Sequence, residues 1–219
     1  MQYRAVATSV EGFVQQIACC YLRYGYWFYV SGWIPTNKDP LTVDEKLIKK
    51  YGIAVSESTR ARRKQAGRAN LQYLRHDRFF VVLATHGEHP FFQHENDSIR
   101  DIRRLPLCYA GYSISYRRGG LTRQGAPDAK WHAHVRLDRQ QYLDLRATLA
   151  EWAHTESAAK LAHTLATLPV AAYAPVRRQL LMLLRTINRI RVAERKSPIP
   201  VDILPLRRRV VRPFDSRYR

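Results

Sequence analysis

The sequence predicts an α+β fold: a mainly antiparallel sheet covered by helices, with a C-terminal helical layer and a basic, proline-punctuated tail. Three observations carry this. Residues 21–34, 72–85 and 107–116 are dense in aromatic and β-branched side chains, the composition of strands. Residues 130–137 (KWHAHVRL) alternate as a further strand. Beyond Asp138 apolar residues recur at helical spacing, so the order is strand, two helices, three strands, then helices. A length of 219 residues suits a core domain over residues 1–155, followed by a helical segment and basic tail over 156–219.

Taken in order, residues 10–20 are weakly apolar and read as a helix or an opening strand. Residues 21–34 (YLRYGYWFYVSGWI) read as a strand, and Pro35 to Pro40 as a turn. Thr42 is placed to cap a helix with Glu45 as its capping-box partner, Val43, Leu47 and Ile48 on its apolar side, and Tyr51-Gly52 as its stop. Ser56 opens a second, very basic helix running to Leu71. Residues 72–85 contain FFVVLA, a buried strand, and residues 86–101 form a polar loop with Phe91 and Phe92. Residues 107–116 (LCYAGYSISY) pair with 130–137 as a hairpin whose long tip spans Gly119-Gly120 to Pro127-Asp128. Asp138 caps a helix to about Thr155. A second helical stretch, 157–168, is broken by Pro169. Pro175 starts the longest, 176–194, before Pro198, Pro200, Pro205 and Pro213 punctuate the tail.

Composition excludes several classes. At 46% hydrophobic the chain has material for a core, which a disordered basic arm lacks. No apolar run approaches the ~18 residues of a membrane span, and residues 1–10 lack the pattern of a secretory signal. Cys19, Cys20 and Cys108 read as reduced thiols, giving an expectation of a cytoplasmic protein. No Cys-x-x-Cys, Gly-x-x-x-x-Gly-Lys-Ser/Thr, Gly-x-Ser-x-Gly or His-Glu-x-x-His is present.

The charge points to a polyanion. With 37 Lys+Arg against 18 Asp+Glu, the formal net charge is +19. Of those bases 29 are arginines, whose guanidinium forks grip phosphate bidentately and stack on bases. They cluster: Arg60, Arg62, Arg63, Lys64 and Arg68 form one acid-free run, and Arg103, Arg104, Arg117, Arg118 and Arg123 flank the hairpin. Residues 177–196 carry seven bases, with Arg178, Arg185, Arg189 and Lys196 opposite the apolar Leu180, Leu183, Leu184, Ile187 and Ile190. The tail adds Arg207, Arg208, Arg209, Arg212, Arg217 and Arg219. Acids gather elsewhere, at residues 39–45, 88–101 and 138–156. Tyr24, Tyr26, Trp27, Tyr29 and Trp33, with Tyr109, Tyr112 and Tyr116, interleave aromatic rings with this base: most belong to a core, and any that are exposed offer stacking platforms. The expectation is a nucleic-acid-binding protein, for RNA or single-stranded or duplex DNA, acting as an accessory subunit of a ribonucleoprotein or mobile-element machine beside other proteins and needing no cofactor.

One motif carries a different chemistry. His132-Ala133-His134 lies on the last predicted strand, where residues i and i+2 face the same way. It resembles the His-hydrophobic-His strand of the HUH endonucleases, the rolling-circle initiators, relaxases and single-strand transposases. That resemblance rests on one strand. It implies a divalent metal, Mg or Mn, held by His132 and His134, and a tyrosine nucleophile, Tyr142 or Tyr173, nicking single-stranded DNA. The loop with His86, Glu88, His89, His94, Glu95 and Asp97 is a source for a third ligand. The chain departs from the family in having no third histidine at the relaxase spacing and no Tyr-x-x-Lys, since Val176 stands three residues after Tyr173.

Overall fold

The computed structural model describes residues 3–120, 124–126 and 128–214. Arg123, Arg217, Arg219 and Pro127, all used above, lie outside them. The fold is α+β with two antiparallel sheets. The chain forms two compact units interleaved in sequence: Met1–Leu107 with Ile114–Ala133 and Val211–Arg219, and Cys108–Ser113 with His134–Val210.

In the first unit, α1 (Val10–Gln15) is capped by Ser9 and runs on as a π-helix (Gln16–Tyr21) and a 3₁₀ turn (Leu22–Tyr24). The strand expected over residues 21–34 is therefore reduced to β1 (Phe28–Trp33). Ile17, Ala18, Tyr21 and Leu22 are all buried at helical spacing, and burying that face outweighs the β propensity of its members. Gly25, at φ +90°, ends the helical run, and its N–H donates to Leu22 O.

Helix α2 (Pro40–Lys50) is capped by Asp39 rather than Thr42; the carboxylate accepts from Thr42 N at 2.8 Å, and Pro40 takes a first-turn position. Ser56 caps α3 (Glu57–Gln65) as expected, but this helix stops short of residue 71 because the chain turns at Gly67, φ +69°, and then enters the sheet. The single strand expected over 72–85 is a hairpin of β2 (Leu71–His76) and β3 (Phe79–Ala84), with Asp77 at φ +52° in its turn. The loop after it holds α4 (Phe91–His94) and the short β4 (Arg100–Asp101). The sheet order is β2-β3-β1-β4, with Val30 opposite Val82 and Val82 opposite Tyr73. Leu71, Tyr73, Val82 and Ala84 pack with Ile53, Tyr51 and Phe91 as one apolar cluster.

The second sheet, in the order β5-β6-β7, comprises β5 (Leu107–Tyr109), β6 (Tyr112–Arg118) and β7 (Trp131–Leu137). The strand expected over 107–116 is two, because Ala110 (φ +44°) and Gly111 (φ +77°) turn the chain. In the second unit Asp138 caps α5 (Arg139–Thr155), Ser157 caps α6 (Ala158–Ala166), and Pro175 lies in the first turn of α7 (Ala174–Ala193). Leu180, Leu183, Leu184 and Ile187 of α7 are buried, while Ile190 is half-buried. No helix among the described residues is long and apolar enough to cross a membrane.

Candidate nucleic-acid interface

The helix termini and turns around α3 build a cavity of about 670 Å³ in the first unit. One wall is the face of α3 bearing Glu57, Arg60, Ala61 and Lys64, which recur at helical spacing. A second is the segment Cys20, Tyr21, Tyr24, Gly25, Tyr26 and Trp27, and the open end of the β2–β3 hairpin supplies Asn70, Gln72, Thr85 and His86.

Hydrogen bonds fix these walls. Asn70 Nδ2 donates to Arg60 O at 2.9 Å, tying α3 to the hairpin, and Asn70 N donates to Thr85 Oγ1 at 2.9 Å. Arg60 Nη2 donates to Ile53 O at 3.2 Å, which holds its guanidinium against the loop before α3. Gln72, 8% exposed, links Tyr26 and Tyr3: its Nε2 donates to Tyr26 Oη at 3.4 Å and its Oε1 accepts from Tyr3 Oη at 2.9 Å. Burial pushes the Tyr26 phenol up, so it stays a neutral donor and acceptor. Burial, with Cys19 beside it, also pushes the Cys20 thiol up, which disfavours a thiolate on this wall.

Two buried side-chain atoms among the described residues have no hydrogen-bond partner, Arg60 Nε and Asn70 Oδ1, and both residues line this cavity. Each such orphan costs about 1–3 kcal/mol. An orphaned donor and an orphaned acceptor on residues that line one cavity suit a polar ligand.

Beside the cavity three rings are stacked. Trp27 lies 6.0 Å from Tyr116 with 25° between planes, and Tyr116 lies 5.8 Å from Trp131 with 21° between planes. Arg103 caps the Trp27 end, its Cζ 4.4 Å from the ring centre, and Arg118 lies 5.9 Å from the centre of Trp131. Asp101 holds Arg103 with a two-pronged contact, at 2.9 Å to Nε and 2.6 Å to Nη2.

The residues expected from sequence to contact nucleic acid divide as follows. Arg62, Lys64 and Arg68 are exposed, whereas Arg63 is half-buried and donates to Gly52 O at 3.1 Å. Arg117 and Arg118 are exposed at the end of β6, with Arg117 Nε donating to Ser115 Oγ at 3.1 Å. In the second unit Arg178, Arg185 and Arg189 are exposed on α7, and Arg207 and Arg209 are exposed in the tail. Arg208 lies over the Tyr173 ring, 4.9 Å from its centre. Arg191, one of the seven bases of residues 177–196, is buried and structural: Nε donates to Ser197 O at 2.8 Å and Nη1 to Glu156 O at 2.9 Å.

His132 is exposed on β7, with Nε2 2.8 Å from Asp128 Oδ2. The Lys130 N–H and the His132 ring hold the Asp128 carboxyl below its ordinary range. His134 and Tyr142 are half-buried, and Tyr173 is the N-cap of α7. In the loop suggested as a source of a third ligand, His89 Nδ1 accepts from Phe91 N at 3.0 Å, and Glu95 accepts from Lys50 Nζ at 3.2 Å and from the Tyr51 hydroxyl. Among the described residues no three His, Cys, Asp or Glu side chains are grouped to hold a metal.

Asn70 and Gln72 were not foreseen. A lone amide in a strand gives no signal until the strand's partner and its open end are known. No protein-family model, curated protein or solved structure matches this chain.

Proposed function

We propose that the protein binds nucleic acid, RNA or DNA, through the basic face of α3 and the aromatic-lined cavity beside it. The observation that carries this reading is the shared cavity: Arg60 and Lys64 line it together with the exposed ring of Tyr24, so cations for phosphate and a ring for a base stand together. Arg62 and Arg68 extend the positive surface outside the cavity. Three acids of the first unit are engaged away from α3, Asp44 in a buried pair with Arg75, Asp101 on Arg103 and Glu95 on Lys50. Glu57 is the one carboxylate on the cavity wall.

The test is fluorescence anisotropy with labelled single-stranded and duplex oligonucleotides, RNA and DNA, over a salt series. The reading expects affinity that falls linearly on a log–log plot as counterions compete. Absent binding, or binding indifferent to salt, overturns it. A denaturant-resistant adduct with single-stranded DNA, lost in Tyr142→Phe or Tyr173→Phe, would instead favour nicking chemistry.

A further inference from the structure

We infer that the cavity beside α3 receives one unstacked base of a single-stranded nucleic acid, with the neighbouring phosphates held outside it by Lys64 and Arg62. This rests on the nucleic-acid reading above and narrows it to single strands.

Size is the first support. At about 670 Å³ the cavity lies within the range of roughly 300–1,000 Å³ found for ligand pockets, which leaves room for one base. Surface character is the second. Tyr24 is 63% exposed and presents ring surface, while Tyr21 and Tyr26 are buried in the same wall and Trp27 lies between Tyr116 and Arg103. Trp27 is held by its Nε1–H to Leu22 O at 3.1 Å and by the stack with Tyr116, so its plane is fixed before any ligand arrives.

The polar groups decide what kind of planar ligand fits. Arg60 Nε is an unanswered donor and Asn70 Oδ1 an unanswered acceptor, on two residues that line the cavity, and Gln72 adds a further amide group. A nucleobase edge carries donors and acceptors side by side and answers both with a small rotation of the side chains; an alkyl chain answers neither. Arg62 and Lys64 are exposed on α3 and stand ready for the phosphates on either side of the base, while Glu57, the one carboxylate on the cavity wall, adds an acceptor. A base inside a duplex has both faces covered and cannot enter without being flipped, so the cavity selects unpaired strands.

The experiment compares a short single-stranded oligonucleotide with the duplex of the same sequence, and places 2-aminopurine in the single strand as a stacking reporter. Wild type is expected to prefer the single strand by roughly tenfold or more and to quench the reporter on binding. Tyr24→Ala, at an exposed position, is expected to weaken single-strand binding by roughly five- to a hundredfold and leave duplex binding unchanged. Equal affinity for both forms, or an unchanged Tyr24→Ala, overturns the base pocket. A free mononucleotide binding as tightly as the strand overturns it too. If Arg62→Gln with Arg68→Gln weakens both forms while Tyr24→Ala changes neither, the pocket fails and the nucleic-acid reading stands. If wild type binds neither form, both fail.

Discussion

Asp44 and Arg75 form a buried two-pronged ion pair between α2 and β2. Arg75 Nε and Nη2 each donate to the carboxylate at 2.8 Å, and the Tyr73 hydroxyl donates to Oδ1 at 2.5 Å. Burial, and then the carboxylate beside it, push the Tyr73 phenol up, so it remains a donor. Both partners are under 10% exposed, and removing one leaves the other charged and desolvated. Asp44→Ala is therefore expected to cost about 3–5 kcal/mol and to lower Tm by roughly 10 °C. The double change Asp44→Leu with Arg75→Met should recover most of that loss. Denaturant midpoints of the three proteins check this, and an Asp44→Ala as stable as wild type contradicts it.

Gly87 carries the second prediction. It sits at φ +133°, and a Cβ there would stand 2.6 Å from both Gly67 O and Ala69 N, in the segment that leads from α3 into β2. The loop is stitched to that segment by Glu88 N donating to Gly67 O at 3.0 Å and Ala69 N donating to Glu88 O at 3.1 Å. Backbone cannot yield as a flexible side chain does. Gly87→Ala should cost about 2–3 kcal/mol and loosen the part of the cavity lined by His86 and Asn70. Protease susceptibility near residues 67–70 and the denaturant midpoint report the two effects separately. A substitution within experimental error of wild type in both would show that the loop simply moves aside.

How much of this was legible in the sequence depended on how local each cause is. The caps at Ser56 and Asp138 were readable because a cap acts on the backbone two or three residues away. Residues 21–24 were misread because their rings suit a strand, and only the buried stripe of Ile17, Ala18, Tyr21 and Leu22 shows why the helix runs on. Arginines could be counted but not sorted. Arg191 and Arg75 are buried behind carbonyl and carboxylate partners distant in sequence, whereas Arg62 and Arg68 meet solvent. The cavity's cations and rings were named individually, but Asn70 and Gln72 acquire meaning only when β2 pairs with β3 and brings its open end to α3.

Acid should weaken the fold before any carboxylate is protonated. Burial first, then Arg63 and Arg68, push His89 below the ordinary histidine range, and its Nδ1 already accepts from Phe91 N. Burial likewise lowers His76, outweighing the opposite pull of Asp77 and Glu11. For both, the unfolded chain takes up protons at a higher pH than the folded one, so stability rises with pH between the folded value and about 6.5. The contribution is complete above about 6.5 and is lost as pH falls through the folded pKa values. Denaturant midpoints measured from pH 7.5 to 5 should decline, and His89→Gln should flatten part of the decline. A midpoint that rises on acidification over that range contradicts the assignment.

The last prediction separates arginines proposed to meet phosphate from arginines that hold the fold. Arg62 and Arg68 are exposed on and just after α3, so Arg62→Gln with Arg68→Gln should leave the denaturant midpoint within about 0.5 kcal/mol of wild type. Each phosphate contact removed should reduce the salt dependence of single-strand binding by about 0.7 in log–log slope. The double variant should therefore lose about 1.4 units of slope, together with about tenfold or more in affinity at low salt. Arg63→Gln should behave differently, because Arg63 anchors α3 through Gly52 O and its removal loosens the helix as well as its charge. Arg191→Gln should do the reverse of the exposed pair. It leaves Ser197 O and Glu156 O without their charged donor, lowering stability by about 1–3 kcal/mol while the salt slope stays at the wild-type value. A slope that falls equally in Arg191→Gln and in the Arg62/Arg68 variant would mean that net charge alone, rather than the surface of α3, governs binding.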